Sequence, residues 1–213
     1  MSDRTARLTA AALTLVLVLW VGGAAALGLG DPLTSETGAL ERASFAALVA
    51  TLLLWVAREP SHALGAGWAV TVLLIGLAGR ELDLDKAFLA DGILKSDLYR
   101  GPNPLAHKAI GLVVVAVALW AFVRWVRRGR RAFATGLRTG SAWAWCLAVA
   151  IVLGVGSKSI DGADRKLAPL GIELGPEVVK SLSLVEEGAE FVFALLLVWA
   201  VALVPRAAAQ RRT

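Results

Sequence analysis

The stretch Val185-Glu186-Glu187-Gly188-Ala189-Glu190-Phe191 places three carboxylates at the head of the last apolar run of the chain. The run continues without a charged residue to Pro205. Each residue of a helix turns by about 100°, so the three glutamates share one arc of the helix surface. A hydrocarbon core of about 30 Å takes roughly 20 helical residues, and counting back from Pro205 puts its edge near Val185. The glutamates are therefore predicted at the membrane edge, where acids are costly unless they have partners.

Long apolar runs of the same kind recur along the rest of the chain, which is 57% hydrophobic with a mean hydropathy of +0.68. These values exceed those of an ordinary soluble domain. They predict an all-α, polytopic membrane protein that forms a single domain, a bundle of six transmembrane helices with two polar outward-facing segments. The predicted spans are approximately residues 8–29, 39–57, 62–79, 106–126, 141–157 and 183–204, and the polar segments are residues 80–105 and 158–175.

The first apolar run follows Arg4 and Arg7 and ends near three small residues, Ala24-Ala25-Ala26, which is also the pattern of a cleaved signal peptide. About 20 apolar residues exceed the usual signal core of roughly 7–15, which favours an uncleaved helix. Cleavage would leave the remaining topology unchanged.

The distribution of charge predicts the orientation. With the N-terminus inside, the inner side carries 12 basic residues and two acids, and the outer side carries 10 basic residues and 15 acids. Because Lys and Arg accumulate on the cytoplasmic side, both termini are predicted there. Basic residues that are mostly arginine, together with abundant alanine, leucine and valine, indicate a GC-rich bacterial genome, so a bacterial inner membrane is predicted. The inner loop that contains Arg127, Arg128, Arg130 and Arg131 is predicted to contact anionic lipid rather than nucleic acid.

Ionisable groups of four spans are predicted to meet at one outer level, whereas spans one and two bring nothing comparable. A cation or proton site is predicted from the acids Glu186, Glu187, Glu190 and Asp161, with the counter-charges Arg80, Lys158 and Arg165 and with Glu81 and His107 as additional members.

Three hypotheses follow for these residues. Clustered carboxylates near low dielectric favour cations and hold protons, as in a transporter. In a membrane-embedded enzyme, Glu186, Glu190 and Asp161 would instead hold a divalent metal, with His107 as ligand or base. In a scaffold, the cluster would be a structural salt-bridge network and the hairpin of spans one and two would bind a partner protein.

No other motif indicates a chemistry. The two histidines, His62 and His107, are predicted at opposite membrane edges, about 30 Å apart, and so do not share a metal or haem. Cys146 lies within an apolar run and is interpreted as a packing residue. The sequence contains no nucleotide-binding loop, nucleophile elbow, HExxH or Rossmann fingerprint, and no cofactor is predicted beyond the metal of the enzyme hypothesis.

Overall fold

The computed structural model of the protein describes residues 1–27, 38–89 and 92–206. These residues form helices and connecting turns without any strand, which confirms the predicted all-α class. The helices are α1 (Asp3–Ala26), α2 (Ala39–Arg58), α3 (Pro60–Leu64), α4 (Trp68–Glu81), α5 (Leu84–Phe88), α6 (Ser96–Arg100), α7 (Leu105–Arg138), α8 (Ala142–Ile160), α9 (Ala163–Leu167) with a 3-10 turn at Ala168–Leu170, and α10 (Pro176–Leu203). The predicted end of the first span, at residues 28–29, lies outside the described residues.

Helix α10 is the centre of the bundle and packs against α8, α2 and α1. Its buried face includes Phe191, Ala194 and Val198, which recur at helical spacing. The facing helices contribute small residues that are fully buried, Ala6 and Ala10 from α1 and Ala43 and Ala47 from α2. Small side chains let helix backbones approach closely, so the sequence of these three helices suits a tightly packed centre.

Arg58, the last residue of α2, joins the ends of three helices. Its side chain is only 3% exposed, donates hydrogen bonds to the carbonyl oxygens of Ala202 and Val204 at 2.8 Å, and pairs with Asp3 at 3.1 Å. Asp3 also pairs with Arg206 at 3.3 Å. The start of α1 and the ends of α2 and α10 therefore lie together. We call this the Arg58 end of the bundle, and the opposite end, which carries the α10 glutamates, the glutamate end.

Within the described residues, four helices are long and apolar enough to cross a membrane, α1, α2, α7 and α8, rather than the six predicted. The chain is thus compatible with a multi-pass membrane protein. Helix α4 has only 14 residues, about 21 Å, which is shorter than a hydrocarbon core. Helix α10 has 28 residues, but Glu186, Glu187 and Glu190 interrupt its apolar part.

The predicted third span, residues 62–79, is not one continuous helix. The chain forms α3, breaks at residues 65–67, and resumes as α4. A Cβ atom on Gly67 would lie 2.7 Å from Cζ2 of Trp55 and 2.8 Å from the ring of His62, so the glycine permits close contact with α2. Trp55 Nε1 then donates a hydrogen bond to Oγ1 of Thr71, which fixes the start of α4.

The predicted fourth span, residues 106–126, lies within the longer helix α7. Helix α7 continues for 12 residues beyond the predicted end at Val126 and reaches Arg138, a length of 34 residues or about 51 Å. The segment with Arg127 and Arg131 was predicted as a loop, and that prediction is wrong, because arginine and alanine are good helix formers and no proline interrupts the segment. The helix ends where Gly140 adopts a positive φ of 68°.

Candidate functional site

A cavity of about 370 Å³ opens at the glutamate end of the bundle. It lies among α2, α4, α8 and α10, which are contiguous through the packing of α2 on α4 and α10 and of α8 on α10. Its lining residues are Glu41, Ser44, Arg80, Glu81, Asp83, Lys158, Asp161, Ser183, Glu186, Glu187 and Glu190. Seven carboxylates therefore face two basic side chains around one space.

Lys158, near the end of α8, lies among three of these acids. Its Nζ atom is 2.5 Å from Oε1 of Glu190, 3.6 Å from Oε1 of Glu186 and 3.8 Å from Oδ2 of Asp161. The Lys158 side chain is 37% exposed, whereas those of Glu186 and Glu190 are 19% and 20% exposed. The ammonium group thus neutralises part of the negative charge at the deeper carboxylates.

A glycine one turn below Lys158 brings α8 close enough for this contact. A Cβ atom on Gly154 would lie 3.2 Å from Cδ2 of Phe193, so α8 packs directly on the aromatic ring of α10. Gly154 and Lys158 are four residues apart and share one helix face, as do Phe193 and Glu190 at three residues apart. The close approach of the two backbones therefore sets the distance between Lys158 and Glu190.

Glu187 differs from Glu186 and Glu190 because none of the basic groups of the described residues forms an ion pair with it. Its Oε2 atom is buried and has no hydrogen-bond partner among the described residues. Its nearest charged neighbours include other carboxylates, those of Glu41, Glu190, Glu186 and Glu81. This side of the cavity carries a surplus of acceptors for a positively charged donor.

Glu81 closes the cavity from the end of α4, beyond the apolar segment that stops at Gly79. Burial is the main cause that raises the pKa of Glu81, from 4.5 to about 7, and the charge of Glu190 adds to the rise. Lys158 and Arg80 act in the opposite direction. At neutral pH Glu81 therefore exchanges protons readily, so the negative charge of the cavity changes in this range.

Helix α2 contributes to the cavity, which corrects the prediction that spans one and two bring nothing comparable. Glu41 lies in the first turn of α2, and Ser44 follows on the same face. Glu41 lies within the predicted second span, residues 39–57, but it was not counted among the ionisable groups of the outer level. Acids favour the first turn of a helix because it carries partial positive charge, and this preference was the available signal.

Asp83 and Ser183 are the other lining residues that the sequence did not identify. Asp83 is held in the left-handed region at a φ of 47° and pairs with Lys86 at 2.6 Å. Ser183 precedes Glu186 and Glu187 by about one turn of α10, so it reaches the same face.

The remaining predicted site residues have separate positions. Arg80 lines the cavity, but within the described part of the chain it makes no direct ion pair, and it acts on Glu81 through space. Arg165 pairs with Asp161 at 3.8 Å from an exposed position outside the lining. His107 lies on α7 and does not line the cavity.

A divalent metal ion in this cavity would need several carboxylate or imidazole ligands around one point. No three histidine, cysteine, aspartate or glutamate side chains of the described residues converge closely enough to hold a metal ion. The ammonium of Lys158 occupies the position between Glu186, Glu190 and Asp161 that such an ion would take. The three acids that the enzyme hypothesis assigns to a metal are therefore the ion-pair partners of Lys158.

The cavity can thus hold a positively charged group by charge and by hydrogen bonds from that group to carboxylates. Comparison of the chain with protein-family models, with curated proteins and with solved structures finds no match.

Proposed function

We propose that this chain is a six-span membrane protein that binds a small cation or cationic solute at the glutamate-end cavity, as a step in its transport. The observation that carries the proposal is the surplus of seven carboxylates over two basic side chains around one space of about 370 Å³. One protein-borne cation, the ammonium of Lys158, already lies there. Glu187 supplies a buried acceptor that none of the described residues satisfies.

The membrane arrangement in this proposal follows from the two ends of the bundle. Among the described residues, six helices have 14 residues or more, and they run alternately between the Arg58 end and the glutamate end. In this proposal the spans are α1, α2, α7 and α8, together with α10 and the pair α3 and α4. The basic excess assigns the Arg58 end to the cytoplasm, together with both termini. The cavity then opens outward, in a bacterial inner membrane.

The shape and lining of the cavity narrow the ligand class. A water molecule occupies about 30 Å³ in the liquid, so the space suits a hydrated inorganic cation or a small organic cation better than a bare ion. Among the described residues, the lining contains no aromatic side chain. Quaternary ammonium ions are usually held by aromatic faces. The carboxylates instead favour a cation that carries N–H donors, such as a primary amine or guanidinium.

A structural role is the second candidate, supported by the short contact between Lys158 and Glu190. In that case the cluster joins α8 to α10 and the protein acts as a scaffold. The two candidates differ in their expectation for Glu187. A structural network needs no carboxylate without a basic partner, whereas a binding site does.

The test measures thermal unfolding of the purified protein in detergent with guanidinium at low concentration, methylammonium, sodium or magnesium. Tetramethylammonium, which has no N–H donor, is the control cation. Three proteins are compared, the parent, Glu187→Gln and Glu177→Gln. Glu177 is exposed, lies on the same helix and is absent from the cavity, so it controls for loss of one charge.

We expect at least one hydrogen-bonding cation to raise the unfolding midpoint of the parent and of Glu177→Gln, and to have a much smaller effect on Glu187→Gln. A parent protein that responds to none of these cations more than to tetramethylammonium would contradict cation binding. An equal response of Glu187→Gln and Glu177→Gln would remove the site from this cavity.

A further inference from the structure

A second, smaller cavity of about 190 Å³ lies on the inner half of α7. It is lined by Trp120, Val123, Arg124, Arg127 and Arg128. These residues recur at intervals of three and four, so they form one face of the helix. Three of the five carry a positive charge and none carries a negative charge, and the sequence of α7 contains no acid between Leu105 and Arg138.

Arg124 is the fixed element of this cavity. Its guanidinium carbon lies 5.5 Å from the ring centre of Trp68, a cation–π contact with the start of α4. The Trp68 ring in turn lies 4.9 Å from that of Trp120. The Nε atom of Arg124 is nevertheless buried and has no hydrogen-bond partner among the described residues. A buried charged donor without a partner is costly, so the Arg124 guanidinium, which lines the cavity, favours an acceptor beside it.

The cavity lies along α7 at the level where lipid headgroups are expected. Arg124 is 19 residues beyond Leu105, about 28 Å along the helix, which is close to the thickness of a hydrocarbon core. Before it, α7 exposes large apolar side chains such as Leu112, Val113 and Leu119. Trp120 is 63% exposed and lies at the boundary, where tryptophan prefers the membrane interface.

We propose that this cavity binds the phosphate headgroup of an anionic phospholipid from the inner leaflet. The guanidinium groups of Arg124, Arg127 and Arg128 donate hydrogen bonds to the phosphate oxygens, and the exposed apolar face above them accompanies the acyl chains. The lipid site within the basic segment of α7 is thus formed by Arg124, Arg127 and Arg128. Arg130 and Arg131, on the same segment, contribute only general attraction to the anionic surface.

The two arginine pairs of α7 provide a matched test. Arg127→Gln with Arg128→Gln removes two exposed charges from the cavity, and Arg130→Gln with Arg131→Gln removes two exposed charges three residues further along the same helix. Both doubles leave Trp68 and Arg124 in place, so neither disturbs the packing of α4 on α7. Thermal unfolding in detergent is measured with added short-chain phosphatidylglycerol, with phosphatidylcholine of the same chain length, and with inorganic phosphate.

We expect phosphatidylglycerol to raise the unfolding midpoint of the parent and of the Arg130/Arg131 double variant. In the Arg127/Arg128 double variant, the rise should be at most half as large. An equal shift with phosphatidylcholine would show that chain packing alone is measured. An equal shift with inorganic phosphate at the same concentration would replace the lipid by a free anion. Equal losses in both double variants would reduce the site to diffuse electrostatics, and each of these three results overturns the proposal.

Discussion

Replacement of Lys158 by methionine removes the ammonium that lies among Glu190, Glu186 and Asp161 and keeps most of the side-chain volume. An exposed ion pair contributes about 0–1 kcal/mol, and breaking a fully buried pair costs about 3–5 kcal/mol. Lys158 is 37% exposed and the two glutamates about 20%. We therefore expect a loss of about 2 kcal/mol, which on the scale of soluble proteins of this length lowers the unfolding midpoint by about 4–8 °C.

The assay is thermal unfolding in detergent at pH 8 and pH 5, with Lys180→Met as the control. Lys180 is an exposed residue of α10 outside the cavity. The deficit of Lys158→Met should be largest at pH 8, because protonation at low pH relieves the repulsion among the uncompensated carboxylates. Methylammonium, which resembles the missing ammonium, should restore part of the stability at pH 8, and tetramethylammonium should not.

If Lys158→Met and Lys180→Met unfold at the same temperature at pH 8, the ion pairs of Lys158 contribute nothing and the argument from distance fails. A deficit that is present but unaffected by methylammonium would show that the pairs are structural only. In that case the space left by the lysine does not accept a cation.

Three further predictions concern the rest of the bundle. Arg58→Met should lower the free energy of unfolding by about 2–4 kcal/mol, measured by denaturant titration, because two carbonyl hydrogen bonds and an ion pair of a buried guanidinium are lost. The carboxyl of Glu81 has a pKa of about 7 in the folded state and 4.5 as its ordinary value, so the folded state loses stability as the pH rises from about 4.5 to about 7. Glu81→Gln should remove this loss. Unchanged pH dependence in that variant would contradict the burial of this group. In a background without Cys146, a cysteine at Ser96 should react with an impermeant thiol reagent added to intact cells and a cysteine at Thr135 should not, and labelling of Thr135 would reverse the proposed orientation.

The levels of Lys158 and Glu190 along their helices could be predicted from the sequence. Helical rise and the lengths of the apolar runs place Lys158 and Glu190 at one height, because both lie at the same end of their runs. Which helices face each other could not be predicted in this way. The contact between Lys158 and Glu190 depends on Gly154 and Phe193, which bring α8 onto α10, and a glycine in an apolar run has many other uses.

Helix boundaries were less predictable because hydropathy marks apolar segments rather than helices. Arg131 follows the apolar part of α7 but continues the same helix. The break at Gly67 has the opposite origin. The residues on both sides are apolar, and the glycine is required by the rings of Trp55 in the neighbouring helix and of His62 in α3.

The geometry divides the cavity into two halves with different roles for an incoming cation. At Glu190 and Glu186, such a cation must compete with Lys158, whose ammonium is covalently tethered and therefore present at high effective concentration. At Glu187, no basic group of the described residues competes, and a buried acceptor is already desolvated. The free energy of desolvating that oxygen is part of folding rather than of binding. Less desolvation therefore opposes the attraction between a bound cation and Glu187. The half of the cavity without a lysine is thus where binding should begin, while the half with Lys158 holds α8 against α10.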